Sequence, residues 1–468
     1  MLSFSTSKAN ISWLQILSLS LGFFLLRGLS FAFINHSLLA NTLSFLLLLG
    51  FILIYLKNKN LAWLILLSEY LLGGAGHFFE FSGLSLRTSL TLIFLILYLS
   101  EFLFYKKYKN FKIDKKILFS LITFYCFLFL ATFLGIKAGH ELKYIYQDLI
   151  PFAFLILFIP ASEFLKPEKN KTFLKNLIIA FLLSSAVWAL LNFFLFVSET
   201  TIIHQAYYNW LRDFALAKIT LVTPFYWRVV FPEQILIIPF FFLAANFYLI
   251  KKEKIYFLIL VFLNLILALN VSRAYFLSLI FGFLFLFSRD KFKPCLKLAF
   301  YNLLIFICLF VGLNLASSQG QDSGLAILGL RLNGLQEPSS DQSATNRLEL
   351  LKPIKKLIKE NPVLGSGLGQ NLELINAQGN LQNTRYFDWG YFEIWIKWGI
   401  FGVLSFLTFF FLLTKKVWQK IKKEPAYLGL FSSLLALLLL NLTVSALFHV
   451  LIIVYLALSL ALLLRDNQ

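Results

Sequence analysis

The sequence predicts an all-α polytopic integral membrane protein with about 12–14 transmembrane helices and one large loop. Of its 468 residues, 59% are hydrophobic and 55 are Phe, and the mean hydropathy is +0.79. Apolar stretches of about 18 or more residues, long enough to cross a bilayer, recur roughly fourteen times. We expect the first stretch, Ile11 to Ile34, to be an uncleaved span because it is longer than a signal-peptide core. We divide the last apolar run into two spans at Asn441–Ser445.

Basic residues concentrate in every second loop. The formal net charge is +19, but most of these charges lie in short clusters between apolar runs, so we predict no nucleic-acid partner. The alternation follows the positive-inside rule if the N- and C-termini are cytoplasmic. The long loop, about 317–390, and the loop at about 198–228 then face outward. The basic clusters are Lys57/Lys59, Lys106 to Lys116, Lys166 to Lys175, Lys251 to Lys254, Arg289 to Lys297, and Lys415 to Lys423.

The predicted spans and loops divide the chain into four segments. Residues 1–228 form an N-terminal transmembrane bundle, 229–316 the central transmembrane helices, 317–390 the large periplasmic loop and 391–468 the C-terminal transmembrane helices. Within the loop, Asn346 to Glu360 repeats apolar residues at helical spacing with lysines on the other face, and Asn361-Pro362 ends the pattern. We predict a basic amphipathic helix lying along the membrane surface. Its apolar residues are Leu348, Leu351, Ile354, Leu357 and Ile358.

The sequence does not suggest a metal site or a cofactor. It contains three Cys, and none lies in the long loop. His36, His140 and His204 are far apart in outward loops, and His449 lies in the last span. No P-loop, dinucleotide fingerprint, HExxH or CxxC motif is present. We therefore expect chemistry that uses neither a metal nor a cofactor.

Five arginines lie in or beside the predicted outward loops. Arginine binds phosphate through two parallel hydrogen bonds and keeps its charge at a membrane interface. Such arginines can instead be anchors that contact lipid headgroups. Convergence on one face would favour an anionic substrate. The five are Arg228, Arg273, Arg331, Arg347 and Arg385.

A glycine-rich turn follows the amphipathic pattern, with Gly365, Gly367 and Gly369 at alternate positions. Two interpretations fit it: a backbone cradle for a phosphate or sugar, and a helix C-cap with a tight turn. Asp388, near the outer interface, is either a general base or the N-cap of the following helix.

Ionisable residues also occur within the predicted spans. Glu393 and Lys397 are four residues apart, which is the spacing of a helical ion pair. Arg27, Glu69 and Arg87 lie in the first, third and fourth stretches. Such residues are costly in lipid and usually face the interior of the bundle. They could line a proton or ion pathway, but we favour structural pairing, for example of Arg27 with Glu69.

Four local patterns occur in order along the C-terminal half of the chain. They are Arg228-Val-Val-Phe-Pro-Glu-Gln234; Ser272-Arg273-Ala274; Asn346-Arg347-Leu348 leading to Glu360-Asn361-Pro362 and Gly365-Ser-Gly367-Leu-Gly369; and Tyr391-Phe-Glu393-Ile-Trp-Ile-Lys-Trp-Gly399-Ile-Phe-Gly402. Together with one large outward loop before a late span, they resemble the O-antigen ligase and polymerase family of bacterial surface-polysaccharide enzymes.

This resemblance implies a fold similar to that of lipid-linked glycosyltransferases that need no nucleotide sugar (GT-C-like). It implies a glycan donor carried on polyprenyl diphosphate at the outer face of the inner membrane, with Arg228 and Arg347 binding the diphosphate. The ligases commonly have a His three residues before the aromatic that is Tyr391 here, and this chain has Asp388 there. The remaining candidate binding residues are Arg273, Arg385, Gly365, Gly367, Gly369 and Glu393, with Asp388 and Arg347 as the catalytic candidates.

We therefore expect a polymerase that joins lipid-linked oligosaccharide units in the bacterial inner membrane, among membrane lipids and with a chain-length regulator protein as a candidate partner. The alternatives are a ligase that moves the finished glycan to lipid A core, a transporter or flippase for lipid-linked sugars, and a protein O-glycosylation transferase. A carboxylate beside the anomeric carbon would take a proton from the acceptor hydroxyl, and guanidinium groups would stabilise the leaving diphosphate.

Overall fold

The computed structural model describes residues 11–81, 83–106, 113–198, 201–287, 292–329, 342–375, 381–385 and 387–465. Nine helices within these ranges are long and apolar enough to cross a membrane, and four shorter apolar helices of 10–17 residues accompany them. This confirms the predicted class, a mostly helical membrane protein. Arg331 lies outside the described residues. The four sequence segments stay a prediction. The structure divides into two compact units, each made of three stretches of the sequence.

The first unit comprises Met1–Phe111, Leu157–Ser272 and Leu286–Leu325. Its described helices are α1 (Trp13–Ala32), α2 (Ser37–Lys57), α3 (Lys59–Leu72), α4 (Leu86–Phe104), α7 (Phe158–Phe164), α8 (Glu168–Val197), α9 (Thr201–Asp213), α10 (Ile237–Lys251), α11 (Lys254–Asn270) and α13 (Phe292–Ser317). It also has two antiparallel hairpins, β1 (Glu80–Phe81) with β2 (Leu84–Ser85), and β3 (Lys218–Thr223) with β4 (Tyr226–Val230).

Helix α8 is at the centre of this unit, where it packs against α1, α3 and α11. Fully buried alanines at positions 180, 186 and 189 let neighbouring backbones approach closely. Small residues at helix contacts serve this purpose in membranes, where association depends on van der Waals packing.

The second unit comprises Lys112–Ile156, Arg273–Phe285 and Ala326–Gln468. Its described helices are α5 (Lys115–Lys137), α6 (Leu142–Ala153), α12 (Arg273–Leu286, whose last residue falls in the first unit), α14 (Gln342–Glu360), α15 (Gly390–Ile421), α16 (Tyr427–Leu440) and α17 (Val450–Arg465). An antiparallel hairpin, β5 (Leu372–Ile375) with β6 (Leu381–Thr384), precedes α15.

Helices α5 and α15 form an antiparallel pair held by aromatic contacts. The ring of Phe124 lies 5.5 Å from that of Trp398 and 5.8 Å from that of Phe406. Helix α15 is broken at Gly399, where φ is 69° and ψ is −178°. The amide of Ile400, which follows the break, donates to the carbonyl oxygen of Pro362 at 3.1 Å. The turn that follows α14 therefore provides a hydrogen-bond partner for a backbone amide that the break leaves without one inside the helix.

Helix α14 confirms the predicted amphipathic helix and its end at Glu360. Its packing differs from the prediction of a helix lying on the membrane surface. Leu350 is 7% exposed and Ile354 is 0% exposed, and they pack in one core with Leu372, Phe387 and Ile396. Leu348, assigned to the apolar face, is half exposed. Protein, rather than lipid, covers the centre of this face, because the β5 strand and the start of α15 pack against it.

In two of the predicted apolar stretches, the residue at which the helix ends has a local explanation. The third apolar stretch of the sequence, which we place near 61–79, is helical only to Leu72, because Gly73 and Gly74 follow and Gly74 takes a positive φ of 57° that does not continue a helix. The last apolar run is two helices, as predicted. Helix α16 ends at Leu440 and α17 begins at Val450, and the side chain of Asn441 accepts a hydrogen bond from the amide of Leu447 at 3.0 Å in the connection.

Candidate functional site

The two residues predicted to be catalytic lie together in the second unit. Arg347 is near the start of α14, and Asp388 lies two residues before α15. Their side chains form an ion pair in which Arg347 Nε and Asp388 Oδ2 are 3.8 Å apart. The indole of Trp389 donates to the carbonyl oxygen of Arg347 at 3.1 Å, which fixes the helix to this segment. The pair is partly open to solvent, since Arg347 is 27% exposed and Asp388 is 41% exposed.

Arg347 retains hydrogen-bonding capacity. Its Nε atom is buried and has no hydrogen-bond partner among the described residues. A buried donor without a partner costs free energy, and an anion seated there would remove that cost. Arginine donors in this fork geometry suit phosphate oxygens. The arrangement can therefore hold an anionic group beside a carboxylate.

Asp388 is not the N-cap of α15, which corrects one of its two sequence interpretations. The cap position belongs to Trp389, and no side chain there makes a capping hydrogen bond. Asp388 takes a left-handed backbone conformation with φ of 52°. This conformation is uncommon for residues other than glycine, and aspartate is one of the residues that adopt it more often than most.

Four charged side chains form a network around the segment that carries Asp388, in which Asp148, Glu393 and Lys397 are buried and Arg385 is partly exposed. Lys397 is 1% exposed and donates to Asp148 Oδ1 at 2.9 Å and to Glu393 Oε1 at 2.6 Å. Arg385 Nη2 donates to Asp148 Oδ1 at 2.5 Å. The predicted Glu393–Lys397 ion pair is thus confirmed. Two cations meet two carboxylates, so the network is neutral overall and each buried charge has a partner, as burial requires.

Asp148 connects three parts of the second unit. One carboxylate oxygen accepts from Arg385 and Lys397, and the other accepts from the amide of Gly369 at 2.8 Å. The sequence analysis missed this residue. The available signal was a carboxylate inside one of the predicted apolar stretches, the sixth, near 144–162, because ionisable residues in such stretches usually face the interior and have a partner.

The glycine-rich turn is packed tightly between α5 and the break in α15. Gly365, Gly367 and Gly369 all have positive φ, between 76° and 88°. A Cβ at Gly367 would overlap the backbone of Gly135, and one at Gly365 would overlap the backbone at the break. Several amides of the turn donate within the protein, including those of Ser366 and Leu368. These glycines therefore serve close backbone packing, and their contact with substrate stays a prediction.

Gly135 provides a test of this packing. A Cβ there would overlap the carbonyl oxygen of Leu368, which cannot easily shift because it accepts from His140 Nδ1 at 2.7 Å while the Leu368 amide donates to Ala131. We expect Gly135→Ala to lower the free energy of unfolding by about 1–3 kcal/mol. Thermal unfolding in detergent would measure it.

The matched control is Gly312→Ala, because Gly312 is also helical and a Cβ there would meet no atom within 4 Å. Alanine has the higher helix propensity, so this variant should be unchanged or stabilised by up to about 1 kcal/mol. Equal unfolding temperatures for the two variants would contradict the proposed packing constraint.

Arg228 lies in the first unit, on the β4 strand opposite Thr220. Its Nε donates to the carbonyl oxygen of Asn270 at 2.7 Å, at the C-terminal end of α11. Asn270 in turn donates to Gln234 Oε1 at 2.9 Å. A cation is favourable at a helix C-terminus, so this contact stabilises the end of α11. The first and last residues of the pattern Arg228 to Gln234 thus meet at one asparagine.

Residues 257–407 match the protein-family model described as O-antigen ligase. The chain carries an O-antigen ligase family domain. This confirms the resemblance, and members of the family are lipid-linked glycan transferases. No curated protein matches the chain. The chain is thus a multi-pass membrane protein that contains a domain of this family.

The O-antigen ligase family domain contains most of the residues described above. Arg347, Arg385, Asp388, Glu393 and Lys397 lie within 257–407, together with the glycine-rich turn. Asp148 and Arg228 lie outside it. Arg273 begins α12 within the domain and is half-buried.

In the first unit, the buried ion pairs differ from the predicted one. Arg27 is paired with Glu233 at 2.7 Å rather than with Glu69, and Glu69 is paired with Arg87 at 2.8 Å. Arg27 also donates to the carbonyl oxygen of Leu72 at 2.9 Å, at the end of α3. The sequence could not choose between these partners, because Arg27 and Glu233 are 206 residues apart.

The described residues contain no group of three or more His, Cys, Asp or Glu side chains that could hold a metal ion. His140, which the sequence placed in an outward loop, contacts the glycine-rich turn, because its Nδ1 donates to the Leu368 carbonyl oxygen. The candidate site places the carboxylate of Asp388 next to the guanidinium of Arg347.

Proposed function

We propose that this protein is a surface-polysaccharide polymerase that transfers a glycan from polyprenyl diphosphate to a hydroxyl group of an acceptor sugar. The observation that supports this most is the pairing of Asp388 with Arg347, whose Nε is buried without a hydrogen-bond partner among the described residues. This pairing places a carboxylate that can accept a proton beside a guanidinium whose N–H groups suit phosphate oxygens.

In the proposed reaction, Asp388 takes the proton from the acceptor hydroxyl as its oxygen attacks the anomeric carbon of the donor. A new glycosidic bond forms and the bond from the anomeric carbon to the diphosphate oxygen breaks. The electron pair of that bond leaves with the diphosphate, and the guanidinium of Arg347 stabilises the charge that develops on it. We assign no step to a metal ion or cofactor.

The remaining candidates have supporting roles in this proposal. Arg385 and Glu393, through Asp148 and Lys397, hold the segment that carries Asp388. Arg385 is 25% exposed and can also meet the glycan or phosphate. The binding roles of Arg228, Arg273 and the turn glycines stay predictions.

The alternation of basic loops supports a cytoplasmic N-terminus, a cytoplasmic C-terminus and a periplasmic loop at about 317–390. On this orientation the reaction takes place at the outer face of the bacterial inner membrane. A polyprenyl tail would remain in the lipid while its diphosphate reaches the interface.

The second candidate is the ligase reaction, in which the finished glycan passes to lipid A core. The description of the matching family model favours it. Asp388, at the position where the ligases commonly have a histidine, favours the polymerase.

The lipopolysaccharide ladder of a deletion strain distinguishes the two reactions. For a polymerase we expect a single repeat unit on the core, and the full ladder should return with the wild-type gene but not with Arg347→Ala. Gel electrophoresis of extracted lipopolysaccharide measures this. Free polymer with bare core would identify a ligase, and an unchanged ladder would contradict both.

A further inference from the structure

Lysines from both helices collect at one end of the α5–α15 pair. Lys115 and Lys116 begin α5, and Lys415 and Lys416 lie near the end of α15. Asp114 accepts a hydrogen bond from Lys416 at 2.6 Å. This hydrogen bond lowers the pKa of the Asp114 carboxyl group, which is therefore ionised at neutral pH. Four lysines and one carboxylate leave a net charge of +3 at this end of the pair.

Two adjoining cavities lie among these side chains. One, of about 530 Å³, is lined by the four lysines and Asp114. The other, of about 390 Å³, runs along the helices, where Phe119 and Leu412 line it together with hydroxyl-bearing side chains such as Thr408. Lys115, Lys116 and Leu412 line both cavities. The result is a cationic chamber that continues into a mainly apolar groove.

The position of this chamber along the helices fits a bilayer surface. It lies at the start of α5, whereas the glycine-rich turn contacts Gly135 near the other end of that helix. At 1.5 Å per residue the two positions are about 30 Å apart, roughly the thickness of the hydrocarbon core. Trp418 on α15 is 47% exposed at the lysine end, and exposed tryptophans are typical of the membrane interface.

We propose that this groove binds an anionic phospholipid, with its phosphate among the lysines and an acyl chain along Phe119 and Leu412. The order of a charged chamber followed by an apolar groove matches the head and tail of a lipid. Basic pockets between transmembrane helices bind anionic headgroups in this way. This site lies in the leaflet opposite to the one that serves Arg347 and Asp388, and it is independent of the proposed glycan transfer.

The test is lipid titration of the full-length protein in detergent, followed by native mass spectrometry. The probes are phosphatidylglycerol and phosphatidylcholine. The variant Lys115→Gln/Lys116→Gln/Lys415→Gln leaves the Lys416–Asp114 ion pair in place. We expect it to weaken phosphatidylglycerol binding by roughly tenfold or more, because each lysine near an anionic headgroup contributes to the attraction.

The matched control is Lys251→Gln/Lys252→Gln/Lys254→Gln, which removes three exposed lysines where α10 ends and α11 begins. This control should bind phosphatidylglycerol as the wild type does. An equal loss in both triple variants, or equal wild-type binding of the two lipids, would overturn the proposal.

A second variant tests the acyl-chain groove without changing charge. Thr408 is exposed and lines the apolar cavity, so Thr408→Trp should fill the groove and weaken phosphatidylglycerol binding. Undiminished binding by this variant would overturn the acyl-chain placement. Millimolar inorganic phosphate should not displace the lipid, and displacement would show that the phosphate group alone, without the acyl chain, accounts for binding.

Discussion

Asp388→Asn should lower the rate of glycan chain extension by roughly 100- to 10,000-fold, the usual contribution of a general base. Asparagine keeps the size of the side chain but cannot accept the proton of the acceptor hydroxyl. The measurement is polymerisation of a lipid-linked repeat unit by the purified protein reconstituted in lipid nanodiscs. Because Asp388 is 41% exposed and its ion pair with Arg347 is long, the variant should insert and unfold as the wild type does.

The control for this substitution is Asp213→Asn. Asp213 is also an exposed carboxylate paired with an arginine, since Arg212 Nε lies 2.7 Å from it. It belongs to α9, in the first unit, and has no proposed part in the chemistry. Full activity in Asp213→Asn with loss in Asp388→Asn supports the base. A fully active Asp388→Asn would exclude it.

Lys397→Met should destabilise the protein by about 3–5 kcal/mol, the usual cost of removing one partner of a buried ion pair. Methionine has nearly the length of lysine, so the loss of packing is small and the effect is electrostatic. The carboxylates of Asp148 and Glu393, at 2.9 and 2.6 Å from Lys397 Nζ, would lose their shared cation. Unfolding by heat or denaturant in detergent would measure the change.

A double variant separates this electrostatic effect from packing. Lys397→Met/Glu393→Gln leaves Arg385 with Asp148, so the network is neutral again and much of the lost stability should return. Lys356→Met, on the exposed face of α14, is the control and should change stability by no more than about 0.5 kcal/mol. If the double variant is less stable than Lys397→Met alone, charge balance is not what holds the network.

Local geometry was predictable from the sequence where the interacting residues are close along the chain. The Glu393–Lys397 pair follows from helical spacing alone, and α14 follows from apolar periodicity with a proline after its end. The division of the last apolar run was likewise marked by Asn441, whose side chain binds the amide of Leu447 in the connection.

Long-range partners were not predictable, because the fold rather than the spacing brings them together. Asp148 is 237 residues before Arg385, and nothing between them indicates that they meet. The choice of Glu233 over Glu69 as the partner of Arg27 has the same cause. For α14, periodicity identified an apolar face but could not indicate whether protein or lipid covers it.

The conformation of Asp388 depends on its surroundings as well. The sequence placed it just before a helix, where an aspartate commonly caps the first turn. The structure instead sets Trp389 at the cap and Asp388 at a positive φ. Trp389 is held by the Arg347 carbonyl, 42 residues earlier, and local spacing cannot indicate such a contact, so the sequence left the cap and the base as alternatives.

The 3.8 Å separation of Arg347 and Asp388 has an electrostatic consequence for the proposed reaction. Before transfer, the carboxylate offsets part of the guanidinium charge, so the guanidinium attracts an arriving diphosphate less strongly. Once the carboxylate has taken up the acceptor's proton it is neutral, and the whole positive charge faces the departing phosphate. Deprotonation of the nucleophile and stabilisation of the leaving group would thereby be synchronised by two side chains.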